Sequence, residues 1–206
     1  MKKYLLLLVI GGLFSACAPQ ALNVLTDDEP LSANYVIAAD QTNGRDGYLI
    51  NYPATWSLES AEDGSTLMLS PLLFDFQARP EPERNASLFV SISPKTPPSL
   101  ADLAKNIQRV SQLQNPSATV TWETVTLNGF DAVRIEHQNV NVARGLIVLE
   151  AATEAIGAGS GYPGSAVEYA VDGPKSRYRV SYTVLGNDSK RKAVLEAIAQ
   201  SFLILP

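Results

Sequence analysis

The constraint that most narrows what this chain can fold into is a strict apolar alternation near its end. Tyr178, Val180, Tyr182 and Val184 fall on one parity and Arg177, Arg179, Ser181 and Thr183 on the other, the period of a strand with one face against a core. The same period recurs upstream, with turn residues between the runs. Residues 34–38 and 48–52 flank a stretch holding Asn43-Gly44 and Asp46-Gly47. Residues 55–60 and 66–70 are joined through Asp63-Gly64. Leu88, Val90 and Ile92 alternate with Phe89, Ser91 and Ser93. Residues 119–127 and 130–138 meet at Asn128-Gly129, and 166–171 and 178–185 meet around Asp172-Gly173-Pro174. Paired short runs with Asn-Gly or Asp-Gly between them are hairpins. Residues 144–152 are apolar at both parities in Leu146-Ile147-Val148-Leu149, which predicts a central strand covered on both sides.

Two segments break the alternation with helical spacing. Pro97-Pro98 ends a strand, Ser99 is a candidate N-cap with Asp102 three residues on, and Leu103, Ile107 and Val110 recur at helical intervals until Asn115-Pro116. A closing helix is predicted over 189–202, with Leu195, Ile198 and Phe202 as its apolar stripe. Hairpin-linked strands with one helix in the middle and one at the end predict an α+β fold. Its form is an antiparallel sheet of about six to eight strands sandwiched by helices in α/β/α layers. The segment 71–86, rich in Pro and holding Glu81 and Glu83, reads as an exposed loop.

The N-terminus has a separate logic. Lys2-Lys3 precede an apolar run from Tyr4 to Phe14, too short for a comfortable membrane span and built like an export signal. Ser15 and Ala16 then precede Cys17, an arrangement that resembles the lipobox of bacterial lipoproteins, with Phe14 where that pattern usually has Leu. The resemblance implies cleavage between Ala16 and Cys17 and lipid on Cys17. An ordinary signal peptide cut near Ala16 or Ala18 is the alternative, and it leaves the position of the chain's single cysteine unexplained. Two or three acyl chains anchor a protein durably, where one binds only marginally. The expected organisation is therefore an export signal over 1–16, a lipidated Cys17 with a linker over 17–33, and one domain over 34–206. The expected location is outside the cytoplasm, lipid-anchored to the cell membrane or the outer membrane on its periplasmic or extracellular face.

Around Tyr52-Pro53-Ala54-Thr55-Trp56 a strand runs into Tyr-Pro-x-x-Trp, which resembles the opening of PsbP-like domains, the superfamily that includes an extrinsic subunit of the photosynthetic oxygen-evolving complex. The final strand at Tyr178 to Tyr182 and the end at Ser201-Phe202-Leu203 are similar to that family's close. The likeness covers about residues 34–205. It implies an antiparallel sheet between helices and a role in binding and assembly rather than catalysis. Trp56 and Phe202 then read as core anchors and Pro53 as a strand terminator.

Charge and residue inventory narrow the chemistry further. Loss of Lys2 and Lys3 with the signal leaves fourteen basic residues against twenty-one acidic, a net of −7, which excludes the basic surface that nucleic acid demands. With Cys17 committed to lipid, His137 is the one remaining imidazole or thiol ligand, so no zinc or copper site is expected. His137 shares parity with Val133 and Ile135 and reads as a residue at the edge of the core face.

Gly157 to Gly164 carries Ser160 but not the Gly-x-Ser-x-Gly register of a nucleophile elbow, and it precedes a strand where a phosphate loop needs a helix. It reads as a loop. The pairs Glu59 with Glu62 and Glu81 with Glu83 read as solvated, and Asp27-Asp28-Glu29 as a spacer. No cofactor and no catalytic residue is expected.

The leading expectation is thus a lipid-anchored, monomeric binding or assembly module with a protein partner. A hydrolase using carboxylates near 157–164 is one alternative. A cell-wall polymer binder stacking sugar rings on Tyr35, Tyr48 and Tyr162 is another.

Overall fold

The computed structural model describes residues 30–69, 87–142, 162–186 and 189–206. The export signal, Cys17, the loop 71–86, the strand expected over 144–152 and Ser160 lie outside the described residues. Two sheets and two helices occupy the rest. The elements in chain order are β1 Ala33–Ile37, β2 Gly47–Tyr52, β3 Ser57–Ser60, β4 Thr66–Leu69, β5 Ser87–Pro94, α1 Leu100–Gln114, β6 Thr119–Leu127 and β7 Phe130–Val142. They continue with β8 Tyr162–Asp172, β9 Ser176–Leu185, α2 Ser189–Gln200 and β10 Leu203–Leu205.

Seven strands form one antiparallel sheet in the order β3-β4-β5-β9-β8-β7-β6, and β1-β2-β10 form a second, smaller one. Every hairpin expected from the turn residues is present. At the β6–β7 turn Asn128 and Gly129 both take positive φ, 48° and 89°, the backbone that an Asn-Gly turn supplies at least steric cost. β9 lies at the centre of the large sheet.

Alternation along β8 sorts the layers. Ala170 packs with Val133, Ile135 and Val120 beneath α1, whereas Tyr169 and Val171 face α2 and the small sheet. The molecule is therefore α1, then the seven-stranded sheet, then a layer shared by α2 and the small sheet. This is the layered α+β arrangement expected from the sequence. Ser99 caps α1 in the expected way, its Oγ accepting the Asp102 N–H at 3.2 Å and donating to Asp102 Oδ2 at 2.7 Å. Ala104 and Ile107 form the buried face.

Two boundaries differ from expectation, each for a local reason. The closing helix stops at Gln200 instead of Phe202. Ser201 accepts the Asn51 N–H at 2.9 Å and donates to the Ile198 carbonyl at 2.7 Å, and Asn128 Nδ2 donates to the Gln200 carbonyl at 2.9 Å. The helix end is satisfied from outside, so the chain leaves it as a strand, β10, paired to β2. Leu-Ile-Leu at 203–205 was too short to register as a strand by period alone.

The second difference is the start of β8, at Tyr162 and not Ala166. Asn139 takes a positive φ of 57°, and the register shifts between Gln138 and Val140. This bulge lets β7 run on to Val142 and recruit Tyr162 to Gly164 into the sheet, so the end of the expected glycine-rich loop is strand.

Candidate functional site

The parity that sends Tyr178, Val180 and Tyr182 into the core sends Arg177, Arg179, Ser181 and Thr183 to the α1 side. On the same side stand Ala166, Glu168 and Ala170 of β8 and Val133, Ile135 and His137 of β7. Cross-strand register sets Ser181 opposite Glu168, Ala170 opposite Arg179, and Ala166 opposite His137. A row of polar side chains thus lies buried across three central strands.

Its charges are paired in fork geometry. Arg179 donates from Nε to Glu168 Oε1 at 2.8 Å and from Nη2 to Oε2 at 2.7 Å. Further along the hairpin Arg177 donates from Nε to Asp172 Oδ1 at 2.6 Å and from Nη2 to Oδ2 at 3.1 Å. Its Nη1 donates to the Pro98 carbonyl at 2.8 Å. Such two-point pairs are the form in which buried carboxylates and guanidinium groups are retained, because each lone pair lost to water is replaced. Arg177 also ties the sheet to the entrance of α1.

His137 sits at the end of this row, 4% exposed. Burial pushes its imidazole below the ordinary histidine value, against the opposing pull of Glu168 and with a further push down from Arg179. Its Nδ1 has no hydrogen-bond partner among the described residues. The sequence placed it at the rim of the core face; it lies well inside it.

A stability prediction follows with a definite sign. The folded state resists protonation, so the unfolded chain takes up a proton first as pH falls below about 6.5. Stability on this account is present above that value and declines below it, by at most about 1.4 kcal/mol per pH unit. His137→Gln is expected to flatten the decline between about pH 6.5 and 5 in urea midpoints. An unchanged slope would sink the assignment.

The opposite side of the sheet carries a second polar group beneath α2. The hydroxyls of Tyr169 and Tyr182 each donate to Glu196, and Gln200 Nε2 donates to Glu196 Oε1 at 3.1 Å. Arg134 Nε donates to Tyr169 Oη at 3.1 Å and its Nη1 to Glu136 Oε2 at 2.9 Å, while Lys192 Nζ reaches Glu136 Oε1 at 2.7 Å. Burial raises the Glu136 carboxyl, but the Lys192 and Arg134 hydrogen bonds outweigh it and hold the group at about 2. Burial likewise raises Glu196, and its tyrosine, Gln200 and Arg134 partners bring it below its usual value. Both Glu196 oxygens are occupied, so this carboxylate locks α2 to the sheet and is not poised as a base.

Other residues singled out from sequence fall as follows. Trp56 and Phe202 are core anchors, and Pro53 follows the last residue of β2. Tyr48 is fully buried, its hydroxyl donating to Thr66 Oγ1 at 2.6 Å, and Tyr35 packs edge-on against it. Tyr48 therefore cannot offer a stacking surface for sugar rings, because it points from the inner face of the small sheet into the core. Glu59 and Glu62 are exposed. Among the described residues no three His, Cys, Asp or Glu side chains converge as a metal cage, and no helix is long and apolar enough to cross a membrane.

The layers and strand order define an α+β protein of PsbP-like fold. Two solved structures illustrate the likeness. CyanoP, the cyanobacterial PsbP of Synechocystis sp. PCC 6803, superposes with a TM-score of 0.51 at 12% identity over 84% of this chain and 92% of that one. LpqN of Mycobacterium tuberculosis gives a TM-score of 0.51 at 15% identity over 84% of this chain and 91% of its own. No protein-family model and no curated protein matches the chain by sequence. The likeness is one of fold, consistent with a motif set made of core anchors.

Proposed function

We propose that this chain is an exported lipoprotein whose PsbP-like domain is a non-enzymatic binding or assembly module, held at a membrane by lipid on Cys17 and recruiting a protein partner. The observation that carries it is the position of the only cysteine, directly after Ser15-Ala16 at the end of a short apolar run that follows Lys2-Lys3. The fold supports it, since LpqN, a protein of similar fold, is involved in cell envelope biogenesis. The chemistry of the interior supports it as well. Glu168, Asp172, Glu136 and Glu196 each spend their oxygens on protein donors, which suits a rigid scaffold better than an acid and base awaiting substrate.

Intact mass of the protein from its own membranes is expected to show loss of residues 1–16 and gain of acyl groups. Cys17→Ser is expected to leave the precursor uncut and without lipid. A mature N-terminus elsewhere, unmodified, sinks the anchor. Pull-down of the lipidated protein from the same membranes is expected to return one reproducible protein partner. An activity abolished by substituting a single acidic residue, with no partner recovered, would replace the module by an enzyme.

A further inference from the structure

The small sheet has two faces of different character. Its inner face sends Tyr48, Ile50 and Ile204 into the core. Its outer face carries Val36 of β1, Leu49 of β2 and Leu203 of β10, which the register sets side by side in one row across all three strands. Val36 is 50% exposed and Leu203 is 37% exposed, with Leu49 half-buried between them. Leu205, half-buried, shares the parity of Leu203. The next outward pair is Asn34 opposite Asn51. The three strands, Ala33–Ile37, Gly47–Tyr52 and Leu203–Leu205, contain no charged residue at all.

Resting on the anchor at Cys17 proposed above, we infer that this charge-free aliphatic face seats the domain on the lipid bilayer surface. Two observations select lipid over other occupants. The first is where the chain enters the fold. β1, the edge strand that carries Val36, begins sixteen positions after Cys17, and sixteen residues span at most about 55 Å. The element nearest the anchor along the chain is the one that exposes the aliphatic row.

The second is charge. A domain with net −7 after loss of the signal carries a net repulsion from anionic headgroups. A face without charge is the one it can lay against them. Three or four aliphatic side chains are too few to bind a membrane from solution. Tethering makes the contact intramolecular and raises its effective concentration, so the patch orients a domain that the lipid already holds.

The acylated Cys17 leaves no free thiol, so an introduced cysteine is unique. Val36→Cys and Leu203→Cys, each bearing a polarity-sensitive fluorophore, are compared in the full-length lipidated protein with Leu113→Cys. Leu113 is 70% exposed on α1, in the layer on the far side of the large sheet. The proteins are placed in vesicles of phosphatidylethanolamine and phosphatidylglycerol, with and without nitroxide-labelled lipid.

Labels at 36 and 203 are expected to shift to the blue and to lose emission to the nitroxide, while the label at 113 does neither. Acylated protein whose labels at 36 and 203 behave as at 113 overturns this inference and leaves the anchor standing. A mass without acyl groups removes the anchor and the inference together. Labels at 36 and 203 shielded before vesicles are added, with sedimentation at twice the monomer mass, assign the face to a second copy and also overturn it.

Discussion

Phe202→Ala is expected to lower the free energy of unfolding by about 3–5 kcal/mol. Phe202 is 1% exposed and sits where α2 hands over to β10, with its ring centroid 5.3 Å from that of Tyr48 and 5.2 Å from that of Tyr178. The expected cost belongs at the upper end of the range because the void cannot collapse. Tyr48 is pinned through its hydroxyl to Thr66 Oγ1 at 2.6 Å, and Tyr178 through its own to the Asp46 carbonyl at 2.8 Å. Two rings fastened at their far ends cannot swing in to fill the space.

Asn128 Nδ2 also donates to the Phe202 carbonyl at 2.6 Å, so the β6–β7 turn holds the segment in place independently of the ring. Phe202→Leu, which keeps most of the volume, is expected to cost about 1–2 kcal/mol. The measurement is a urea titration followed by tryptophan fluorescence. A loss below about 1 kcal/mol for the alanine variant would show that the three-ring cluster is not the fastening between the layers.

How much of this was legible beforehand varies by element. The hairpins were, because Asn128-Gly129, Asp63-Gly64 and Asp172-Gly173-Pro174 advertise turns and the flanking runs alternate. Helix α1 was, because Ser99, Asp102 and the Leu103, Ile107 spacing are local signals. β10 was not, since a three-residue strand acquires its identity from β2 beside it. The extension of β7 was hidden in one left-handed asparagine, Asn139.

The buried row was half legible. The alternation that marked Tyr178, Val180 and Tyr182 as core also put Arg177 and Arg179 on one opposite face, and Glu168 on β8 shares that face across the hairpin. Opposite charges on matching parity of a predicted hairpin are a signal for an ion pair, but the period alone does not say whether that face is covered. What buries the row is the α1 layer over the neighbouring strands, a tertiary fact that no strand period contains. Glu196 is similar. Its two tyrosine donors come from β8 and β9 and meet it only once α2 has docked.

The second large effect concerns that ion pair. Glu168→Ala is expected to cost about 3–5 kcal/mol, the range for removing one partner of a buried pair. The 24% exposure of the Arg179 side chain lets its guanidinium recover some water, which places the expectation near about 3 kcal/mol. Replacing both residues, Glu168→Met with Arg179→Met, removes the stranded charge and is expected to recover much of that loss, since apolar isosteres of a buried pair are often neutral or better. Wild type, Glu168→Met, Arg179→Met and the double variant form a double-mutant cycle whose coupling energy is read from urea midpoints. Coupling below about 0.5 kcal/mol would reduce the pair to a surface contact.

His137 supplies an independent readout. Glu168 pulls the His137 imidazole upward, against burial and Arg179. Glu168→Gln is therefore expected to drive the imidazole value lower still, so that His137 stays neutral to more acid pH in an NMR titration of the folded protein. The stability lost on acidification between about pH 6.5 and 5 would then be steeper or longer in that variant and absent once His137→Gln is added. A row of buried charges that were merely packed side by side would change stability in the cycle without moving the histidine. A connected row moves both.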